Sequence, residues 1–255
     1  MKLGLVLSGG GARGIAHIGA LQALEEMQIE FSVVSGTSAG SIVGAMYAYG
    51  YKPKEIFDIV KYLSIFKTVR PAWTWAGLLT IDGIRDLLLK HIPENNFSAL
   101  KLPLTIAATE VQKGQIHYFT EGELIPAVIC SSSIPAVFSP VTFNGGVYID
   151  GGLLDNLPVK PIKKQCDFIV GLHCNNISAH FAIGNVKKMI ERSLLLAINA
   201  NTQISRSMCD VFIDPPNLDR FGVMDIARAQ EIYDAGYQFT KANFLPHHFQ
   251  REHKA

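Results

Sequence analysis

The sequence predicts an α/β fold built on a mostly parallel central sheet, and three observations carry that expectation. Leu3 to Leu7 is an apolar run of strand length that breaks into Ser8-Gly9-Gly10-Gly11-Ala12-Arg13-Gly14 before helical periodicity begins at Ile15. Phe31 to Ser35 repeats the pattern, running through Gly36-Thr37-Ser38-Ala39-Gly40 into small and apolar residues that open a second helix. Short apolar runs and helical stretches then continue along the 255 residues, and a hydrophobic content of 48% is enough to fill the core of one sizeable domain.

Taken in order, Ile15 to Met27 reads as an amphipathic helix with Ile18, Leu21 and Leu24 facing the core. His17, close to the glycine loop, reads as a packed or solvent-facing helix residue. Ser41 to Tyr49 continues the second helix, Gly50 ends it, and Pro53 starts a third that runs to about Leu63. A fourth spans Asp82 to His91 with Asp82 as its cap. Between them, the stretch with Trp73 and Trp75 has large apolar residues at no clear period, so Phe66 to Leu79 is either packed loop or an apolar lid over an acyl site.

Leu104 to Thr109 and Ile116 to Phe119 read as strands around Lys113-Gly114, and Glu123 to Cys130 as a helix. Ser131 to Pro140 is serine-rich and broken by prolines, which makes it a loop or a binding wall. Val141 to Phe143 and Val147 to Ile149 form a hairpin about Asn144-Gly145-Gly146 that delivers Asp150-Gly151-Gly152. Asp155 and Asn156 follow as a second loop, and Pro158 and Pro161 begin a short helix. Asp167 to His173 is a buried strand, Val186 to Ser205 a long amphipathic helix, Asp210 to Asp214 the last strand and Met224 to Asn243 the final helix. The polar tail from Pro246 to Ala255 is expected to fray.

A formal net charge of +1, with no block of like charges, excludes the electrostatic footprint of a nucleic-acid binder. The apolar run after Met1 and Lys2 is too short for a signal-peptide core or a membrane span, so membrane contact is expected to be peripheral at most. Cys130, Cys166, Cys174 and Cys209 are scattered without zinc-ligand spacing, which fits reduced thiols in a cytoplasmic protein and implies no metal.

Gly36-Thr37-Ser38-Ala39-Gly40 has the form of a nucleophile elbow, G-x-S-x-G, in which glycines let strand and helix approach around a serine held on a tight turn. Gly9, Gly11 and Gly14 satisfy the dinucleotide-binding pattern G-x-G-x-x-G. The second strand, however, ends in the serine elbow and not in the acidic residue that would hold a ribose. The same loop at a helix N-terminus also suits an oxyanion, because its backbone N–H groups and the helix dipole favour negative charge. If the first two strands are neighbours in a parallel sheet, loop and Ser38 lie side by side. Arg13 then either braces the loop, meets a substrate phosphate or forms a surface ion pair. An Asp-Gly turn is the plain account of Asp150; a partner for a serine is the other.

In their order along the chain, Gly9-Gly10-Gly11-Ala12-Arg13-Gly14, Gly36-Thr37-Ser38-Ala39-Gly40 and Asp150-Gly151-Gly152 resemble the motifs of the patatin-like phospholipase family, bacterial members in particular. The resemblance implies a three-layer α/β/α sandwich of patatin type over most of residues 1–215; the C-terminal helix and tail at 216–255 carry no signature and are read as completing a single domain. It also implies a serine acyl-ester hydrolase of phospholipase A or lysophospholipase type acting on an acyl-ester lipid, without a cofactor. Ser38 would be the nucleophile, Asp150 its partner in a Ser-Asp dyad, and the backbone of Gly9 to Gly14 the oxyanion hole. The Ser131 to Pro140 stretch resembles the serine- and proline-bearing block that precedes the family's aspartate. Two other readings stand beside this one: a Ser-Asp-His esterase using His173, and a non-catalytic module that binds lipid or phosphate in the glycine loop.

Overall fold

The computed structural model describes residues 1–66, 81–135, 137–177 and 186–250. Its strands are β1 (Leu3–Leu7), β2 (Val33–Thr37), β3 (Leu104–Glu110), β4 (Gln115–Phe119), β5 (Val141–Phe143), β6 (Gly146–Asp150), β7 (Phe168–Leu172) and β8 (Val211–Ile213). The helices are α1 (Ile15–Glu26), α2 (Ala39–Tyr49), α3 (Pro53–Phe66), α4 (Ile81–His91), α5 (Leu124–Ser131), α6 (Gly152–Asp155), α7 (Val186–Arg206) and α8 (Ala229–Asn243). All the strands join one sheet with helices flanking it.

The heart of the sheet is parallel, as expected: β3, β2, β1, β7 and β8 lie side by side in that order. Every residue of β1, β2, β3 and β7 is buried, which explains why these strands read as near-continuous apolar runs and not as alternating ones. β4, β5 and β6 add an antiparallel flank. Asn144 and Gly145 have φ of 47° and 77° and close the β5–β6 hairpin, a conformation that these two residue types tolerate.

One feature of this flank positions the site. β4 pairs with β3 from Ile106 to Glu110 and so occupies one edge of that strand. β2 pairs with β3 as far as Ala107, and β6 pairs with it from Ala108 onward. Because β4 holds the opposite edge over the same residues, β2 and β6 must share a single edge of β3, one after the other. They run toward each other, so the end of β2 and the end of β6 meet at the Ala107–Ala108 step.

Several elements depart from the sequence reading. α1 is not amphipathic: its residues from Ile15 to Leu21 are all buried. The face turned away from the sheet is covered by α8, and the two backbones approach so closely that a Cβ on Gly19 would collide with the Tyr233 carbonyl and one on Gly236 with that of Ala16. Asp82 lies inside the first turn of α4, where it pairs with Arg85 at 2.9 Å, and does not cap the helix. Pro158 and Pro161 begin no α-helix; the short α-helix is the earlier α6, and between Pro161 and β7 there is only a 3-10 turn at Lys163–Gln165. α8 begins at Ala229, after a 3-10 turn at Ile226–Arg228. Pro246–Phe249 does not fray, since Phe249 is buried and its ring packs against Phe244. The lid reading of Phe66 to Leu79 falls on side chains outside the described residues.

Candidate active site

β2 carries the chain straight into Ser38, whose φ of 53° and ψ of −124° lie outside the regions that a residue with a Cβ ordinarily occupies. Neighbouring glycines make room for this turn. A Cβ on Gly36 would strike the Gly40 carbonyl, and one on Gly40 would strike that of Leu7. Two hydrogen bonds hold the elbow: the Ser38 N–H donates to Ser131 Oγ at 2.8 Å, and Ser41 Oγ donates to the Ser38 carbonyl at 2.7 Å.

Asp150, the last residue of β6, meets this turn at the end-to-end junction of β2 and β6. Its carboxylate accepts from the Gly152 N–H at 2.8 Å and lies close enough to the Ser38 side chain to be stabilised by it. Burial pushes the Asp150 pKa up to about 6, although Ser38 and the Gly152 N–H pull the other way. The carboxyl is thus a stronger base than a solvated aspartate. A Cβ on Gly151 would hit the Ala107 carbonyl, so glycine there lets the strand end turn tightly over β3.

The glycine loop lies against the elbow: a Cβ placed on Gly9 would stand 3.1 Å from Ser38 Cβ, and one on Gly14 would stand 2.6 Å from Ala39 Cβ. Most of its N–H groups are engaged. Gly9 donates to the Asn156 carbonyl at 3.2 Å, Ala12 to Val223 at 2.8 Å and Arg13 to Gly10 at 3.2 Å. Among the described residues, the N–H groups of Gly10 and Gly11 make no hydrogen bond. Gly11 has φ of +57°, and a side chain there would run into the Val223 carbonyl.

Arg13 is buried and forms no surface ion pair among the described residues; its Nε donates to the Phe221 carbonyl at 2.8 Å and its Nη2 to the Asp219 carbonyl at 3.5 Å, which ties residues 219–221 to the loop. His17 is also buried, its Nε2 2.9 Å from the Ser8 carbonyl and 3.4 Å from Cys174 Sγ. Burial pushes its pKa down to about 4, so the neutral ring braces the loop from beneath. His173 is elsewhere in its bonding. Its Nδ1 pairs with Asp214 Oδ1 at 2.9 Å, and its Nε2 has no partner among the described residues. It therefore joins neither Ser38 nor Asp150.

Above Ser38 opens a cavity of about 90 Å³ with apolar walls that include Ile18, Ile42, Val60, Ile84, Phe138 and Met224. Sequence reasoning missed three supports of this site. Ser131 was lost among similar serines; Asn156 and Val223 act through backbone carbonyls, which carry no residue signature. Asp155, read from the sequence as loop, is the last residue of α6, and its carbonyl accepts from Thr37 Oγ1 at 2.9 Å. Among the described residues there is no cluster of three or more His, Cys, Asp or Glu that could hold a metal ion.

Residues 5–162, which include the glycine loop, the elbow and Asp150, match the family model of patatin-like phospholipases. The chain belongs to the patatin-like phospholipase family. It is 35% identical over 182 residues to an uncharacterized NTE family protein of Mycobacterium tuberculosis, covering 70% of this chain and 50% of that protein. It is 28% identical over 282 residues to the lysophospholipase NTE1 of Meyerozyma guilliermondii, covering 95% of this chain and 19% of that protein. The chain thus spans half the length of the mycobacterial relative and about a fifth of the fungal one. Among solved structures, VipD from Legionella pneumophila shares the fold with a TM-score of 0.50 at 18% identity, over 94% of this chain and 67% of that one.

Proposed function

We propose that this patatin-like protein is a serine acyl-ester hydrolase in which Ser38 and Asp150 form a catalytic dyad. The observation that carries the proposal is the placement of the Ser38 side chain beside a buried Asp150 carboxylate, on a strained turn beneath an apolar cavity. A serine hydroxyl is a poor nucleophile at neutral pH until a base takes its proton. Asp150 is that base. Ser38 Oγ attacks the ester carbonyl, the oxyanion settles on the free N–H groups of Gly10 and Gly11, and the alcohol leaves with the proton held by Asp150. Water, deprotonated in turn by Asp150, releases the acid from the acyl-enzyme.

The substrate is an acyl-ester lipid of phospholipid or lysophospholipid type, a class supported by the family and by the name of the fungal relatives. The apolar walls of the cavity above Ser38 suit the acyl carbons next to the ester. Among the described residues no helix is long and apolar enough to cross a membrane, and lipid would be met at a surface. The cytoplasmic setting expected from the scattered thiols belongs to the same proposal.

Covalent labelling separates this enzyme from a lipid- or phosphate-binding module. A fluorophosphonate probe is expected to modify Ser38 in the wild type and to leave Ser38→Ala unmodified, alongside a hydrolysis screen over lysophospholipids, phospholipids and neutral glycerides. A wild-type protein that neither takes the label nor turns over any of these esters overturns the catalytic reading.

A further inference from the structure

Three donors converge on the Gly9 carbonyl: Asn175 Nδ2 at 2.9 Å, Ser8 Oγ at 3.0 Å and Cys174 Sγ at 3.4 Å. A carbonyl can only accept, so the Asn175 amide must turn its nitrogen toward it. Asn175 is buried, and its own backbone carbonyl is held by Asn199 Nδ2 of α7 at 3.2 Å. Its remaining oxygen, Oδ1, is unpartnered and lies beside Gly10, where a Cβ would stand 2.9 Å from it. That contact is one physical reason for glycine at position 10.

The peptide joining Gly9 to Gly10 is planar and trans, so its C=O and N–H point in opposite directions. Whatever holds the Gly9 oxygen therefore sets where the Gly10 N–H points. With the carbonyl drawn inward to Asn175, Ser8 and Cys174, the Gly10 N–H is turned to the opposite side of the loop, where it has no protein partner among the described residues. The following peptide is held in the same manner, since the Gly10 carbonyl accepts from the Arg13 N–H at 3.2 Å and the Gly11 N–H is left free.

We infer that Asn175 is a positioning residue of the oxyanion site: it touches no reacting atom but locks the Gly9–Gly10 peptide so that the Gly10 N–H is aimed before substrate arrives. This role presupposes Ser38 as nucleophile and the glycine loop as oxyanion site. Pre-aimed donors act on the charge that develops in the transition state and contribute little to ground-state binding. Losing the lock should therefore lower kcat and leave KM in place.

The test compares wild type, Asn175→Leu and Asn175→Ala on a short-chain p-nitrophenyl ester, with an aliphatic trifluoromethyl ketone as a probe that forms an oxyanion on Ser38. Expected is a fall in kcat of about 10- to 100-fold, below the 10²–10³ lost when a whole donor is removed. Ketone inhibition weakens by the same factor, with KM within about twofold and the pH midpoint unmoved. Ser8→Ala, which removes a second donor to the same carbonyl, should show the same pattern at smaller size and covers the case in which the Asn175 variants do not fold. A rise in KM at unchanged kcat, or a fall in kcat with ketone inhibition intact, overturns the role of Asn175. If the wild type itself is neither active nor inhibited by the ketone, the dyad reading fails instead, and the two failures are distinct.

Discussion

Ser131 Oγ stands between two elements of the site, accepting from the Ser38 N–H at 2.8 Å while donating to the Ala107 carbonyl at 2.6 Å. The elbow and β3 are thereby joined by one buried hydroxyl at the step where β2 and β6 meet. Removing it in Ser131→Ala leaves a buried N–H and a buried C=O without this partner. Such losses cost about 1–3 kcal/mol for a group left unpaired. The variant should unfold at lower urea and turn over more slowly, because Ser38 loses the bond that helps to hold its strained φ. Denaturation midpoints together with kcat check this.

Asp150 gives a stability prediction whose sign runs against intuition. Its pKa rises from 3.8 to about 6 on folding, so the folded state keeps a proton that the unfolded state has lost between those values. The stability contribution is fully present below 3.8 and is lost as pH rises through about 6. At neutral pH the buried charge costs roughly 3 kcal/mol at most. Asp150→Asn should accordingly melt at higher temperature than wild type at pH 7.5, with the advantage shrinking as the pH is lowered toward 4. Thermal melts across that range measure it.

The same shift sets the rate profile. A base acts only when ionised, so kcat/KM on a short acyl ester should rise with pH through a midpoint of about 6 and then level off. Initial rates across that range give the midpoint. A profile still climbing through pH 8 would point to a different base.

Much of this site is legible in the sequence because its signals are local. Gly36 and Gly40 flank Ser38 where backbones touch, Asn144-Gly145 closes the hairpin that ends in Asp150, and apolar runs mark β1 and β2. What stays hidden depends on distance along the chain. Nothing near Ser38 announces that Ser131, 93 residues away, will hold its N–H. Nothing near Gly9 announces Asn175, which reaches it from 166 residues away. α1 reads as amphipathic because Ile18, Leu21 and Leu24 fall at helical spacing while His17, Gln22, Glu25 and Glu26 are polar; only α8, packed through Gly19 and Gly236, shows that its outer face is covered. The end-to-end meeting of β2 and β6 on β3 is a property of strand registers, which no short motif encodes.

The proposed histidine-free dyad of Ser38 and Asp150 is what most separates the proposed mechanism from that of an ordinary serine esterase. Turnover of a short p-nitrophenyl ester by Ser38→Ala, Asp150→Asn and His173→Ala, each confirmed folded, decides it. Expected is loss of turnover by about a thousandfold or more in the first two, in line with what removal of a nucleophile or its base costs in serine hydrolases. His173→Ala should keep near wild-type kcat, since His173 pairs with Asp214 and not with the dyad. Wild-type-like turnover in Ser38→Ala or Asp150→Asn, or a collapse in His173→Ala with the fold intact, would contradict the dyad.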